Sequence, residues 1–307
     1  MPKKKKVETP ERTYDQLYYA LKKKVRMFYD AQRLRMQCGG RLSKDPRKDE
    51  IVLHEFDLMV LSKHADSLRD QEDQALCDIK ENLEAISFYK DVLSDKVRYR
   101  GVGPTMAGVI LSEFDIRKCD NPSQMWSFAG LAPVPAFRCN ECKQVLKDTD
   151  GELKHPKTKI KCEFNSKVMA EGSYHESGKA MKPVKGEKLP YNKFLRTKLV
   201  GVLAPVLLKC KSPWTKIYYN RKQYRINSGW GVSDGHRHHD AMRYMIKMLL
   251  LDIWMKWREH EGLEVRPSYQ EEKLGHKYSG GDILASYTEP EEDVDPEVEA
   301  ELMIASV

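Results

Sequence analysis

Hydrophobic positions recur at helical spacing over most of the chain. Between Arg12 and Met36, Leu17, Leu21, Val25 and Phe28 follow one another at steps of three and four with Lys and Arg on the other face, which predicts a helix ended by Gly39 and Gly40. The approximate heptad beat of Leu61, Ala65, Leu68, Ala75, Ile79, Leu83 and Ile86 predicts a second helix from about Asp49 to Tyr89, with its seam broken at Glu72. An antiparallel hairpin and a coiled-coil arm that dimerises both satisfy this pattern. Asp91 to Tyr99 reads as a short helix, Arg100-Gly101-Val102-Gly103-Pro104 as a tight turn, and Thr105 to Phe114 as a helix with Met106, Val109 and Ile110 on one face. Asn121 as N-cap, Pro122 at the first position and Gly130 at the stop bound a helix of two turns, and the prolines of Leu131 to Pro135 require extended backbone.

From 138 to 178 the periodicity vanishes into a polar, turn-rich stretch that reads as an insertion. It returns from Asn192 to Lys209, where Leu195, Leu199, Val202, Leu203, Val206 and Leu207 face inward and Pro205 kinks the helix. A last helix over 237–258 buries Met242, Met245, Ile246, Leu249, Leu250 and Ile253. The expected fold is therefore mostly α. A basic tail (1–11) leads to a helical coiled-coil arm (12–90) and then to an α domain containing a helix-hairpin-helix (91–137 and 173–259). That domain is interrupted by the insertion (138–172) and followed by an acidic disordered tail (260–307).

Charge changes this picture from a fold to a function class. The 307 residues hold 53 Lys and Arg against 46 Asp and Glu, a net +7. Residues 289–307 contain eight acids and no Lys or Arg, so the rest of the chain carries +15. Thirteen Lys or Arg face a single acid, Glu187, between Lys179 and Arg225. Such a body implies a polyanionic partner, and nucleic acid fits it best. Lys179, Lys182, Lys185, Lys188, Lys193, Arg196, Arg221, Lys222 and Arg225 are the candidate phosphate contacts, with Arg237 at the start of the last helix. Trp214 and Tyr218 are assigned to packing. At Gly101, Gly103 and Thr105 the backbone can approach a phosphate and the amides of the following helix can point at it; an ordinary helical corner with Pro104 at the first position explains the same residues. His236, His238 and His239 sit too close together on one helix start to share an ion, and phosphate contact is the better reading.

Seven scattered cysteines do not make a disulfide framework, no basic-then-apolar leader follows Met1, and the longest apolar runs are shorter than a membrane span. A cytoplasmic, nucleoid-associated protein is expected, or a nuclear one if the source is eukaryotic; the early run Lys3 to Lys6 resembles a short nuclear-import signal but is read mainly as a phosphate-seeking tail. Cys139-Asn-Glu-Cys142 has the spacing of a knuckle that presents two thiolates to one zinc ion, Cys162 supplies a third, and His155 or His175 the fourth. A polar insertion with little core of its own is where a structural metal substitutes for one.

The Arg100-Gly-Val-Gly-Pro turn, the Ala129-Gly-Leu-Ala-Pro133 stretch, Ser177-Gly178 and Asn192-Lys-Phe-Leu-Arg196 together resemble the C-terminal domain of the insertion-sequence transposases numbered one hundred and ten, the bridge-RNA-guided recombinases, over roughly residues 92 to 258. The resemblance implies a DNA transposase or site-specific recombinase that transfers phosphoryl groups through a serine nucleophile, Ser177, with Ser173 as the next choice. It also implies DNA and a guide RNA as partners and assembly into a homo-oligomer. That family carries a RuvC-like domain whose four acids hold divalent metal, whereas the first ninety residues here are helical and basic. Magnesium therefore enters only if a RuvC-like partner protein supplies the carboxylates. A serine that works alone, or a catalytically inactive DNA-binding descendant, are the other two readings.

Overall fold

The computed structural model describes residues 12–42, 54–157, 159, 161–180, 186, 188–229, 233–266 and 282–288. Among them the protein is mostly helical, with eight α-helices and two small two-stranded sheets. The chain divides into two units, Met1–Pro122 with Thr197–Val307, and Ser123–Arg196. The smaller unit thus takes in more chain than the expected insertion, because the segments that flank the insertion form its main sheet.

In the larger unit, α1 (Tyr14–Leu42) and α2 (Glu55–Glu84) lie antiparallel. The register is fixed by Asn82 Nδ2 donating to the Leu17 carbonyl at 3.1 Å, Lys24 Nζ to the Asp78 carbonyl at 3.0 Å, and Gln32 Nε2 to the Glu72 carboxylate at 3.0 Å. The hairpin is therefore made within one chain. Glu72, expected to break the seam, instead joins it, because Arg35 and Gln32 both donate to its carboxylate across the helix pair.

Gly39 and Gly40 do not end α1, which runs through them to Leu42; both are exposed, so they cost helix propensity without disturbing packing. The predicted heptad is buried only from Ala75 onward. Leu61 is 37 % exposed, since α1 runs out before reaching its level, and Phe56, Met59 and Val60 are exposed beside it.

A π-helical turn at Tyr89–Leu93 stands where a short helix was expected, and leads into the turn at Gly101. Then α3 (Pro104–Glu113) crosses the hairpin so closely that a Cβ on Gly108 would lie 3.1 Å from Val25 and 3.2 Å from Ile79. Glu113 at its end is buried and receives Lys22 at 3.3 Å and Arg26 at 2.5 Å.

The helix expected over Asn192 to Lys209 is three pieces, α5 (Lys193–Lys198), a π-helical turn (Leu199–Leu203) and α6 (Ala204–Lys209). Pro205 has no amide to donate, and the chain meets that loss by widening the turn before it rather than by a simple kink. The widened turn also rotates the face. Leu203 and Leu207 are fully buried, while Val202 and Val206, expected inside, are 38 % and 40 % exposed.

The core is completed by α7 (Thr215–Asn227) and α8 (Asp234–His260). Trp257 stacks on Phe88 with ring centroids 5.2 Å apart, and Trp254 Nε1 donates to the Cys119 carbonyl at 2.7 Å. Trp214 and Tyr218 are fully buried, as expected, and Trp214 Nε1 donates to the Arg98 carbonyl at 2.9 Å.

One buried polar group organises this core. Asp252 on α8, 3 % exposed, accepts from Arg98 at 2.5 and 3.0 Å and from the Tyr99 hydroxyl at 2.6 Å. Desolvation and the adjoining carboxylate push the Tyr99 hydroxyl well above its usual range, so it stays a donor. Residues 260–307, expected to be a disordered tail throughout, return to the body at 282–288, where Ile283 and Leu284 are buried and Asp282 pairs with Arg98 at 2.8 Å. Residues 267–281 and 289–307 of that tail, and the basic tail 1–11, lie outside the described residues.

In the smaller unit, α4 (Pro122–Phe128) ends as the proline and glycine predict. Gly130 takes φ +68° and the Leu131 amide returns to the Trp126 carbonyl at 2.7 Å, a left-handed helix stop. Only glycine fits there, because a Cβ would lie 2.6 Å from the Tyr191 ring. The extended chain that follows is β1 (Pro133–Cys139), paired antiparallel with β4 (Tyr174–Ala180) so that Ala136 faces Ser177 and Cys139 faces Tyr174. Between them β2 (Lys147–Thr149) and β3 (Glu152–Lys154) form a hairpin across Asp150-Gly151, both at positive φ. The unit has a small core of Cys139, Leu146 and Met169, with Phe137, Leu153, Phe164 and Tyr174 packed around it.

Candidate metal centre and basic surface

The end of β1 delivers Cys139 into the small core, fully buried, and the turn Asn140 to Lys143 brings Cys142 back beside it. Lys143 takes φ 59° to close that turn. His155 follows directly on β3 and is 2 % exposed, and Cys162 opens the next turn, its carbonyl accepting from the Asn165 amide at 3.1 Å. The ligand atoms of Cys139, Cys142, His155 and Cys162 lie within 4.8 Å of one another. Cys139 Sγ is 3.9 Å from Cys162 Sγ, and Cys142 Sγ is 2.9 Å from His155 Nε2. Sulfurs on a tetrahedral zinc sit about 3.8 Å apart, given Zn–S bonds of about 2.3 Å. This cluster can therefore hold a metal ion such as zinc.

The surroundings prepare the donors. His155 Nδ1 is 2.8 Å from the Pro156 carbonyl, which can only accept, so Nδ1 carries the proton and the Nε2 lone pair faces the sulfurs. Burial opposes a charge on Cys139, but amide donation from Cys142 and Glu141 overcomes it and holds that thiol below its ordinary value. Desolvation, with the Glu141 carboxylate and the neighbouring sulfurs, pushes the Cys162 thiol up to about 12. Metal binding must expel that proton, so affinity falls with pH. Glu141, whose carboxylate lies 3.1 Å from Cys162 Sγ, was not anticipated from the sequence. The fourth donor is His155; His175 instead turns away, with Nδ1 2.7 Å from Asn140 Oδ1. Among the described residues this is the one cluster of three or more such donors, and the helix-entrance histidines are bonded elsewhere: His236 to Ser233, His238 to Tyr218 and His239 to the Gly235 carbonyl.

Ser177 lies in the middle of β4, neither in a turn nor at a helix entrance. Its Oγ accepts from Arg138 Nε at 3.0 Å and approaches the Ala136 carbonyl at 3.4 Å. No carboxylate or imidazole is hydrogen-bonded to it among the described residues. Ser173 closes a turn, its hydroxyl donating to the Ala170 carbonyl at 2.6 Å.

Of the turn residues expected to meet phosphate, Gly101 takes φ +93° with its α-carbon against α6, where a Cβ would lie 2.8 Å from Cys210 Sγ. Its glycine character therefore serves packing. Gly103 opens to solvent, and Thr105 is half-buried in the first turn of α3.

The cations separate by unit. In the smaller one, Lys188 and Lys193 are exposed and the Arg196 guanidinium lies 5.1 Å over the Tyr191 ring. Lys179 contributes backbone to β4, while Lys182 and Lys185 lie outside the described residues. In the larger unit, α7 carries Lys216, Arg221, Lys222 and Arg225 and no acid. Asp240 of α8 accepts from Arg221 at 2.9 Å and Arg225 at 2.8 Å, so these two arginines share one counter-charge. Burial works against the Asp240 charge, but Arg225 and Arg221 outweigh it and hold its carboxyl below the usual range. Lys222 Nζ lies 5.8 Å over Tyr218, and Arg237 pairs with Asp234 at 3.3 Å. No helix among the described residues is long and apolar enough to cross a membrane. Comparison with known protein families, with characterised proteins and with solved structures finds no match for this chain.

Proposed function

We propose that the chain is a DNA-binding protein of transposase type whose smaller unit is held in shape by a structural zinc ion. The observation that carries the DNA reading is the run from Thr197 to Ser233, seven Lys or Arg with no Asp or Glu, within which α7 carries four cations, two of them bonded to Asp240. Phosphates neutralised by such cations release counterions, so affinity for a duplex oligonucleotide should fall by about 10² or more between 50 and 200 mM salt. Replacing Lys216 and Lys222 by Glu should weaken binding across unrelated sequences and flatten the log–log salt slope by about two. Binding indifferent to salt, or unchanged in the double variant, removes α7 as the interface.

A second reading, that the protein is a recombinase acting through Ser177, is favoured by one contact: the Arg138 guanidinium bonded to Ser177 Oγ stands where it can neutralise a phosphoryl oxygen. In it the hydroxyl attacks a DNA phosphodiester, a phosphoserine bond forms, and a deoxyribose hydroxyl leaves with the proton. Magnesium, a guide RNA and a RuvC-like partner belong to this reading, as does oligomerisation through the helical arm. Incubation with candidate element ends should trap a DNA adduct that Ser177→Ala abolishes. An adduct that survives the change refutes Ser177 as the nucleophile.

A further inference from the structure

The chain returns to the larger unit at residues 282–288, and the manner of its return fixes where the next segment starts. Asp282 receives Arg98, Ile283 and Leu284 are buried, and the Tyr287 and Tyr244 hydroxyls meet at 3.0 Å. Thr288 is held twice by one side chain of α7. Asn220 Nδ2 donates to its carbonyl at 2.7 Å, and its own Oγ1 donates to Asn220 Oδ1 at 3.1 Å. Asn220 lies one helical turn from Lys216, on the same face of α7, and Arg221 and Lys222 follow it around the helix. The next residue, Glu289, begins a nineteen-residue stretch with eight acids and no Lys or Arg.

We propose that the α7 surface is the docking site of this chain's own acidic segment, 289–307, which occupies it in place of nucleic acid. Three features argue for that occupant. The segment starts at α7, tethered by Asn220. Its charge is complementary to a helix that carries four cations and no acid. Its length suffices, since nineteen extended residues span up to about 65 Å, whereas a helix of thirteen residues is about 20 Å long. A tether this short also places the acids at an effective concentration in the millimolar range, enough for weak individual contacts to compete with DNA. The segment would thus act as a built-in competitor that raises the selectivity of the surface, because only a polyanion denser in charge than the tail displaces it.

The competition rests on the DNA reading above, but the docking does not, and the two are separable by experiment. The full-length protein is treated with a zero-length carbodiimide cross-linker and the joined peptides are identified by mass spectrometry. Cross-links from the acids of 289–307 to Lys216 and Lys222 are expected, and their loss in 0.5 M salt. Their absence at low salt overturns the proposal. In parallel, a full-length variant with the eight acids replaced by Gln or Asn should bind a duplex oligonucleotide about tenfold more tightly, and the duplex should suppress the cross-links in the wild type. Unchanged duplex affinity in the neutralised variant overturns the competition. Cross-links in a protein that binds no duplex at all would sustain the docking and refute the DNA reading instead.

Discussion

Exchange of Cys142 for serine is expected to reduce bound zinc from about one ion per chain to near none and to unfold the core of the smaller unit. The expected size of the effect follows from how little else that core contains. Cys139, Leu146 and Met169 are its buried members, and two of the partly buried side chains packed on them, Cys142 and Cys162, are themselves candidate ligands. Without the ion, four donors converge within 4.8 Å with no charge to hold them, and the thiols of Cys142 and Cys162 are only partly buried against that core. Apparent zinc affinities in small domains correspond to about 10–16 kcal/mol. That exceeds what a three-residue core can supply. Metal analysis of the purified protein and near-ultraviolet circular dichroism before and after a strong chelator measure the outcome. Equal zinc in wild type and variant would refute the site. Because the ligands bind as thiolates and the Cys162 thiol holds its proton more tightly than an ordinary cysteine, zinc release should advance as pH falls.

Asp252→Ala is expected to destabilise the larger unit by about 3–5 kcal/mol, seen as a lowered urea midpoint with the slope preserved. The carboxylate is buried and accepts from Arg98 and from the Tyr99 hydroxyl. Its removal takes the acceptor from the buried Tyr99 phenol and leaves the Arg98 guanidinium to the partly exposed Asp282, both beside the Trp214 ring, and leaving a buried group unpaired costs more than the pair itself stabilises. Asp282→Ala, which removes the other partner of Arg98, should cost less than about 1 kcal/mol, because that carboxylate is 44 % exposed and water replaces it. Equal effects from the two substitutions would show that Arg98, rather than the burial of Asp252, sets the energy.

The parts of the fold that local chemistry decides were legible in the sequence. Pro122 and Gly130 bracket α4, Pro104 opens α3, and Cys139-x-x-Cys142 announces a turn that the structure completes with Cys162 and His155. Parts decided by distant partners were not. Nothing adjacent to Glu72 tells that Arg35 waits across the hairpin, and the pairing of Asp252 with Arg98 spans 154 positions. The strand β4 was missed because Tyr174-His-Glu-Ser-Gly alternates weakly, its register being imposed by β1. Asp150-Gly151 was a usable hairpin signal for β2 and β3. The candidate nucleophile shows the same limit, since whether Ser177 sits at a helix entrance or inside a strand depends on a partner, Ala136, 41 residues upstream.

The discontinuity of the larger unit has a kinetic side. Its hairpin and α3 are made first, and their mutual contacts close over short stretches of chain. The ring of Phe88 and the guanidinium of Arg98 must wait for α8, which follows the whole of the smaller unit. Closing so long a loop adds entropy to the barrier, so the nascent hairpin presents its aromatic side to solvent until synthesis has passed Trp257. The smaller unit is encoded in one uninterrupted stretch, so it can fold on the ribosome while the larger one is still incomplete. Assembly of the protein is thereby ordered by the gene, with the last-made third of the chain, α6 to α8, completing a core whose other half is already in place.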